Sequence, residues 1–504
     1  MMSIMMRIEE GNQLLDSSNA PEEDVIDKCI NNPLPGKDYE LALCLAMGNA
    51  ADAVEIMCVG FIMAEMNDIS SIDKEFLSSA VFVGMLFGGL LGGYFSDVIG
   101  RRRSLLLALL LNAVAGVLSA AAVGIEMLIV LRVIGGIGIG GSVPIVFSMG
   151  AEVFPSDKRG HLLSVIASFW MIGAIYTAFT AWILLGKDIN GVRICPRGNW
   201  RIFAAVSAVP AFVALLLTYF RLPESPRFLI SKGKTEEAVA AITTMSTVSI
   251  TAQDLQSLNA APTSQTTLYS TVQMLFSSEL KFTSIVFMGV WFTLSFGSYG
   301  ISTWISVLFE DVGIGNPFAA AFIFALANLP GNVISLWLID TYGRRLLLSW
   351  GMALAGLSSL GFALDTKDAA VVVLFAALFN AFSTMGWNSL DCLSAEMFPT
   401  RARSTAMGLL AASGRLGAIS GQFVNGSLEN NIPLLLFVTT ACCLFGGCIA
   451  FALPHDSAGP LHEIRQNSTS ESKSVAGHMG YAVVSRHINE DHSVEDVVDN
   501  PLSS

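Results

Sequence analysis

The sequence predicts an all-α polytopic membrane protein with twelve transmembrane helices in two six-helix bundles, and three observations carry that expectation. Uncharged apolar runs of about 20 residues recur between Leu41 and Phe451, each long enough to cross roughly 30 Å of hydrocarbon as a helix. None alternates apolar with polar residues in the manner of a barrel strand, and helices and closed barrels are the structures that satisfy their backbone in lipid. Two loop motifs of the first half return in the second at nearly one offset. Composition agrees. Of 504 residues, 53% are hydrophobic and 14% charged, where soluble domains carry about 25% charged residues, and mean hydropathy is +0.60.

In order, the spans of the first half read as 40–63, 76–95, 103–123, 127–150, 161–184 and 200–221, and those of the second as 281–309, 317–339, 346–364, 369–392, 403–425 and 431–453. Glycine and alanine are dense in several of them, most of all from Gly135 to Gly141, where missing side chains let helices approach closely. Loops that share a side with both termini hold fourteen Lys and Arg and the opposite loops six, which predicts cytoplasmic termini. Residues 222–280 lie on that same side and divide the halves. Their amphipathic pieces beside a Ser/Thr/Gln-rich stretch predict a linker with short surface helices. The expected organisation is an acidic tail over 1–38, an N-terminal bundle over 39–221, the linker, a C-terminal bundle over 281–454 and an acidic tail over 455–504. The tails are polar with few aromatics, a composition that predicts disorder. No basic stretch and apolar segment precede Leu41, so no cleavable signal peptide is expected.

The net charge is -13, which argues against a nucleic-acid partner. Each tail holds eight acids and three bases, leaving the core nearly neutral. Of eight cysteines, Cys29 and Cys195 stand outside the apolar runs, and none has metal-ligand spacing, so they read as small hydrophobes. A phosphate-binding Gly-Lys-Ser/Thr loop and a nucleophile elbow are absent from the sequence, so neither ATP-driven pumping, hydrolysis nor a cofactor is expected. Asn425-Gly-Ser427 matches a glycosylation acceptor but lies too near a span end, and Asn467-Ser-Thr469 is expected in the cytoplasm.

The halves repeat. Gly93-Tyr-Phe-Ser-Asp97-Val-Ile-Gly100-Arg101-Arg102 returns 243 residues on as Leu336-Trp-Leu-Ile-Asp340-Thr-Tyr-Gly343-Arg344-Arg345. Glu152-Val-Phe-Pro155 with Arg159 returns 244 residues on as Glu396-Met-Phe-Pro399 with Arg403. Two motifs agreeing to one residue imply duplicated six-helix bundles related by an axis along the membrane normal, with a path between them. Gly100 and Gly343 permit a tight turn, while Asp97 and Asp340 can accept charge-assisted hydrogen bonds from arginines.

Over all twelve spans the sequence resembles the major facilitator superfamily, whose loop signature of glycine, acid, glycine and paired basics it matches, with Leu336 replacing the leading glycine in the second half. In that family these loops latch the bundles in the outward-facing state, which the resemblance implies for Gly93, Asp97, Gly100, Arg101, Arg102, Glu152, Arg159, Asp340, Gly343, Arg344, Arg345, Glu396 and Arg403. Positive-inside topology alone would explain the arginines but not the acid and glycine spacing. Arg132-Val-Ile-Gly-Gly136 and Leu222-Pro-Glu224-Ser225-Pro226-Arg227 look like signatures shared by sugar porters, organic-ion transporters and synaptic-vesicle-two-related proteins. Ala167-Ser168, the region 293–298 and Leu453-Pro454-His455-Asp456 depart from the sugar porters. Ala51-Asp52-Ala-Val-Glu55, Phe169-Trp170-Met-Ile-Gly173 and Leu329-Pro330-Gly331 are similar to the synaptic-vesicle-two-related and nicotinate-type group.

Ionisable residues inside the membrane are costly and are functional candidates by default. They are Asp52, Glu55, Arg132, Asp391 and Arg415. Asp52 and Glu55 are neighbours on one helix face, and two such close carboxylates do not readily both ionise, which makes one a proton carrier, Glu55 by preference. The other reading ties Asp52 to an arginine as structural glue. Arg132 is expected to pair with an acid or to aid proton coupling, and Asp391 to pair with Arg401 or Arg403. Arg415 can hold a substrate carboxylate bidentately or pair with Asp391. Trp170, Tyr176, Trp291, Phe296, Tyr299 and Trp387 offer stacking surfaces for a small ring.

The function expected is therefore a transmembrane secondary transporter in a plasma or vesicle membrane, not an enzyme. Its partners are a small organic ion such as a nicotinate-like carboxylate, protons and the lipid bilayer. A sugar or polyol porter and a non-transporting receptor or trafficking relative are the alternatives.

Overall fold

In the computed structural model the described residues are 23–66, 69–186, 199–248, 250, 251, 255, 268–364 and 368–453. The side chains of 23–25, 268–271, Asp340, Thr400, Arg401 and Ser404 are outside the description, as are Cys195, Asn467 and the whole C-terminal tail from 454.

All regular structure among these residues is helical. The first bundle comprises α2 (Lys37–Glu65), α3 (Ser71–Ile99), α4 (Arg101–Ala120), α5 (Ile125–Val153), α6 (Arg159–Leu185) and a sixth span in two pieces, α7 (Arg201–Ser207) and α8 (Val209–Arg221). The second comprises α12 (Lys281–Asp311), the two-piece α13 (Pro317–Leu326) and α14 (Asn328–Tyr342), α15 (Arg344–Leu364), α16 (Ala369–Met397), α17 (Thr400–Ser427) and α18 (Ile432–Ala450). Eleven spans are apolar enough to cross a membrane by composition. The twelfth, α17, has the length but carries Arg401, Arg403, Arg415, Gln422 and Asn425, a polarity affordable in a helix that faces a protein interior or a water-filled path.

Local chemistry explains the boundaries. Ser70 caps α3 by accepting from the Asp73 amide at 3.1 Å, Asn316 caps α13 and Asn431 caps α18. The sixth and eighth spans each break two or three residues ahead of a proline, at Ala208 before Pro210 and at Ala327 before Pro330, because proline lacks an amide hydrogen and crowds the carbonyl four residues back. For Pro210 that carbonyl is Val206, and the Tyr176 hydroxyl donates to it at 3.0 Å. The Tyr176 hydroxyl therefore serves this break.

Helices α3 and α5 touch backbone to backbone. A Cβ on Gly136 would run into the Val81 carbonyl, and one on Gly84 into the Val133 carbonyl.

The apolar core is continuous across both bundles at one end and divided at the other. One cluster joins Phe61, Phe82 and Phe203 to Trp304, Phe318 and Phe379. Toward the arginine-rich loops it gives way to two separate clusters, one around Leu45, Leu109 and Phe154, the other around Phe287, Leu390 and Phe398. The bundles are thus fused at the end opposite the paired arginines and parted at the arginine-rich end.

The N-terminal segment departs from the expected disorder. Residues Glu23–Asn31 form α1, and with α9 (Pro226–Ser231), α10 (Thr235–Met245) and α11 (Leu268–Leu275) they bring helices to the arginine-rich end. The physical reason is apolar content hidden in an acidic stretch. Cys29 and Ile26 pack with Phe228, Leu229, Ala238 and Ile242 of the linker. Asp27 pairs with Arg227, Pro33 bridges Ser246, and the Leu34 amide donates to the Met245 carbonyl at 2.8 Å.

Candidate functional site

The first loop motif closes within its own bundle. Gly100, at φ 110°, turns the chain between α3 and α4, where residues with a Cβ are strained. Arg101 then reaches Asp97 at 3.1 Å and Glu152 at 3.2 Å, with its guanidinium 5.0 Å from the Phe228 ring. Glu224 accepts from the Arg102 amide at 2.9 Å and so caps α4, and the Arg102 side chain donates to the Tyr219 carbonyl. Arg159 donates to the Phe154 carbonyl at 3.4 Å.

In the second half Gly343 turns at φ 82°, Arg344 pairs with Glu396 at 3.4 Å, and Arg345 donates to the Leu453 carbonyl at 3.0 Å. The Asp340 side chain lies outside the described residues, and Arg403 is half-buried and, among the described residues, makes no hydrogen bond or ion pair, its Nε being buried without a partner. A Cβ on Gly93 would meet open space, which explains why Leu336 can stand at the matching position.

Deep in the first bundle, Glu55 and Arg132 form a closed ion pair at 2.5 Å, their side chains 3% and 1% exposed. The guanidinium also donates to Cys58 Sγ at 3.2 Å and to the Ser119 hydroxyl. Gly135 makes the space, since a Cβ there would stand 2.9 Å from a Glu55 carboxylate oxygen. Part of the glycine run is therefore a seat for a charge.

Asp52, on the same helix and fully buried, is not tied to an arginine by contact. Ser142 donates to one of its carboxylate oxygens at 2.6 Å and Asn112 to the other at 3.2 Å, which joins α2, α4 and α5.

Between the bundles the residues gather around Tyr299 of α12. Its ring lies 5.1 Å from Phe82, 6.5 Å from Trp170 and 5.7 Å from Trp387, and the Arg415 guanidinium sits 5.8 Å from its centroid. Trp291 packs on Trp387 at 5.4 Å, while Phe296 is buried in the bundle. Arg415 is half-buried in mid-helix and, among the described residues, makes no hydrogen bond and no ion pair. The Asp391 side chain is exposed, one turn beyond Trp387, whose ring meets Tyr299. Among the described residues it has no hydrogen bond or ion pair either; the expected pairing with Arg403 is not formed, and the Arg401 side chain lies outside the description.

Amides and hydroxyls continue this layer toward the arginine-rich end. Asn388 donates to Asn332 at 2.6 Å, and Asn332 reaches Ser168 of the first bundle at 3.5 Å. At the fused end Lys74 pairs with Glu429, Ser427 donates to Glu75 at 3.1 Å, and Phe76 meets Phe423 at 5.7 Å, all across the bundles. Sequence reading missed Ser142, Asn112, Ser119, Glu224, Asn332, Asn388 and the Lys74–Glu429 pair. Polar residues within apolar runs were the available signal for the first three and the two asparagines.

Two six-helix bundles joined at one end and parted at the other, with unpaired charges between them, define a multi-pass membrane transporter. The chain belongs to the sugar (and other) transporter family of the major facilitator superfamily, whose model matches residues 24–467. It is 26% identical to mouse synaptic vesicle glycoprotein 2C over 82% of this chain and 78% of that protein. It is 25% identical to human synaptic vesicle glycoprotein 2A over 82% and 77%. Among solved structures it resembles the inward open conformation of the xylose transporter XylE from E. coli, with a TM-score of 0.67 at 19% identity, over 85% of this chain and 99% of that one. It also resembles a D-xylose-proton symporter, with a TM-score of 0.66 at 20% identity over 83% and 98%.

Proposed function

We propose that the protein moves a small organic solute bearing a carboxylate across its membrane by alternating access, in step with protons. The observation that carries this reading is Arg415, an unpaired guanidinium in mid-span, open to the space between the bundles and flanked by the Tyr299 ring. A cation held in a low-dielectric setting without a partner attracts an anion strongly, and a guanidinium grips a carboxylate through two parallel hydrogen bonds. Tyr299, Trp170 and Trp387 supply stacking surface for the rest of the solute.

The arginine-rich end faces the cytoplasm on the positive-inside rule, so the parted end is the inner one and both termini lie inside. The Lys74–Glu429 pair and the Phe76–Phe423 contact act as the outer gate. Arg101, Glu152, Arg344 and Glu396 hold their own bundles in this state and are the groups that engage across the halves when the inner end closes. Glu55 carries the proton. Neutralising it dissolves the pair with Arg132 while Ser119 and Cys58 keep the guanidinium satisfied, which frees α2 and α5 to shift. Proton coupling is supported by the resemblance to a proton symporter, and a vesicle membrane by the synaptic vesicle relatives.

Uptake into proteoliposomes tests this directly. With an inward proton gradient, labelled nicotinate-like acids should accumulate, and Arg415→Ala should remove accumulation without unfolding the protein. Absence of uptake for acids, cations and sugars alike, with and without the gradient, refutes transport. A second reading, a neutral sugar or polyol, is favoured by the Asn332–Asn388–Ser168 layer, since amides and hydroxyls suit hydroxylated solutes. Sugar uptake that is indifferent to Arg415→Ala would establish it instead.

A further inference from the structure

We infer that the transported solute is a zwitterion, its carboxylate on Arg415 and a cationic group on Asp391. This rests on the reading of Arg415 as the seat of an anion and adds the opposite pole. Among the described residues, Asp391 is an exposed carboxylate without a hydrogen bond or ion pair, just as Arg415 is a half-buried guanidinium without one. They stand on different helices, α16 and α17, linked through rings rather than to each other: Arg415 lies 5.8 Å from the Tyr299 ring, which is 5.7 Å from Trp387, one turn before Asp391, and no ion pair or hydrogen bond joins the two charges. Two opposite charges left unpaired in this way form a dipolar seat. The alternative, direct collapse onto each other, is the pairing that Glu55 and Arg132 make in the first bundle.

Electrostatic balance favours the same solute. The empty seat is neutral as a pair and a zwitterion keeps it so, whereas a lone anion leaves a negative charge there that the coupled proton, carried on Glu55 in the other bundle, would have to offset from a distance. The walls also fit a cation. Trp387 lies four residues before Asp391, hence one turn away on the same helix face, with Tyr299 at 5.7 Å and Trp291 at 5.4 Å from it. Both indole N–H groups are already satisfied, by Ser298 and Ser394 at 3.0 Å, so what these rings have left to offer is π surface, which attracts ammonium groups, quaternary ones included.

Matched probes test the inference with the full-length protein in nanodiscs. Trimethylammonium carboxylates with one and three methylenes between the charges are compared by calorimetry with isosteres in which a tert-butyl group replaces the trimethylammonium. One zwitterion should bind at least about tenfold tighter than its isostere, as expected of a desolvated charged contact. Asp391→Asn should erase that preference while leaving isostere binding intact, and Arg415→Gln should weaken both. If both isosteres bind as tightly as their zwitterions, or if Asp391→Asn keeps the preference, the zwitterion assignment is overturned while the carboxylate reading stands. If Arg415→Gln leaves isostere binding unchanged, the carboxylate reading itself falls. Binding of none of the four probes by monodisperse protein also counts against the dipolar seat.

Discussion

The Arg132 guanidinium stands 2.5 Å from the Glu55 carboxylate in a site that excludes water from both. Removing one partner of such a pair strands the other. Arg132→Ala should therefore cost about 3–5 kcal/mol, read as a large fall in the melting temperature of the detergent-solubilised protein. Glu55→Gln should be milder, because Ser119 and Cys58 still hold the arginine.

The same pair governs the expected response to pH. Uptake driven by an inward proton gradient should lose its pH dependence in Glu55→Gln while solute binding persists. A variant that transports with an unchanged pH profile would move the proton site elsewhere, with Asp52 next in line.

Arg415→Ala should weaken binding of a carboxylate solute by about 10- to 100-fold, the worth of a hydrogen-bonded charged contact. Arg415→Lys should recover part of it, since the charge remains but the two-pronged geometry is lost. Equilibrium binding to purified protein separates the three forms.

Lys74→Ala should loosen the end at which the bundles are fused. With Phe423→Cys as a reporter, labelling by an impermeant maleimide should speed up about fivefold or more, the population change that about 1 kcal/mol produces. No change in labelling would deny the Lys74–Glu429 pair a gating role.

Glycines should divide sharply by location. Gly136→Val forces a side chain into the Val81 carbonyl and should abolish a monodisperse elution peak, as overpacking at a backbone contact costs about 1–3 kcal/mol or more. Gly93→Ala meets open space and should elute as the parent protein does.

Most of the architecture was legible in the sequence because lipid imposes it. Length and apolarity mark a span whatever it packs against, and the repeated acid, glycine and arginine spacing relates the halves. The α17 helix is the exception that composition alone misjudges, since Arg415 and Gln422 look out of place until their inward face is known. The site was half legible. Charges in apolar runs flagged Asp52, Glu55, Arg132, Asp391 and Arg415, but no pattern within one helix states which acid meets which arginine. Arg132 chose Glu55 because Gly135 on its own helix leaves room there. Asp52 was instead met by Ser142 and Asn112, small polar residues that periodicity does not distinguish from packing. The order of residues 23–38 was hidden for a similar reason. The charge count of residues 1–38 predicts a solvated tail, while Ile26 and Cys29 had no visible partner until the linker folded beside them.

That docking has a mechanical consequence. Through the Asp27–Arg227 pair, the Pro33–Ser246 bridge and the Arg101–Phe228 contact, α1, α9 and α10 travel as cargo of the first bundle. The two halves are therefore unequal bodies in any rocking motion, the first carrying α1, α9 and α10 and the second, among the described residues, only α11. A pair of fluorophores, one on α10 and one at the inner end of α15, would report the swing between them without touching either gate.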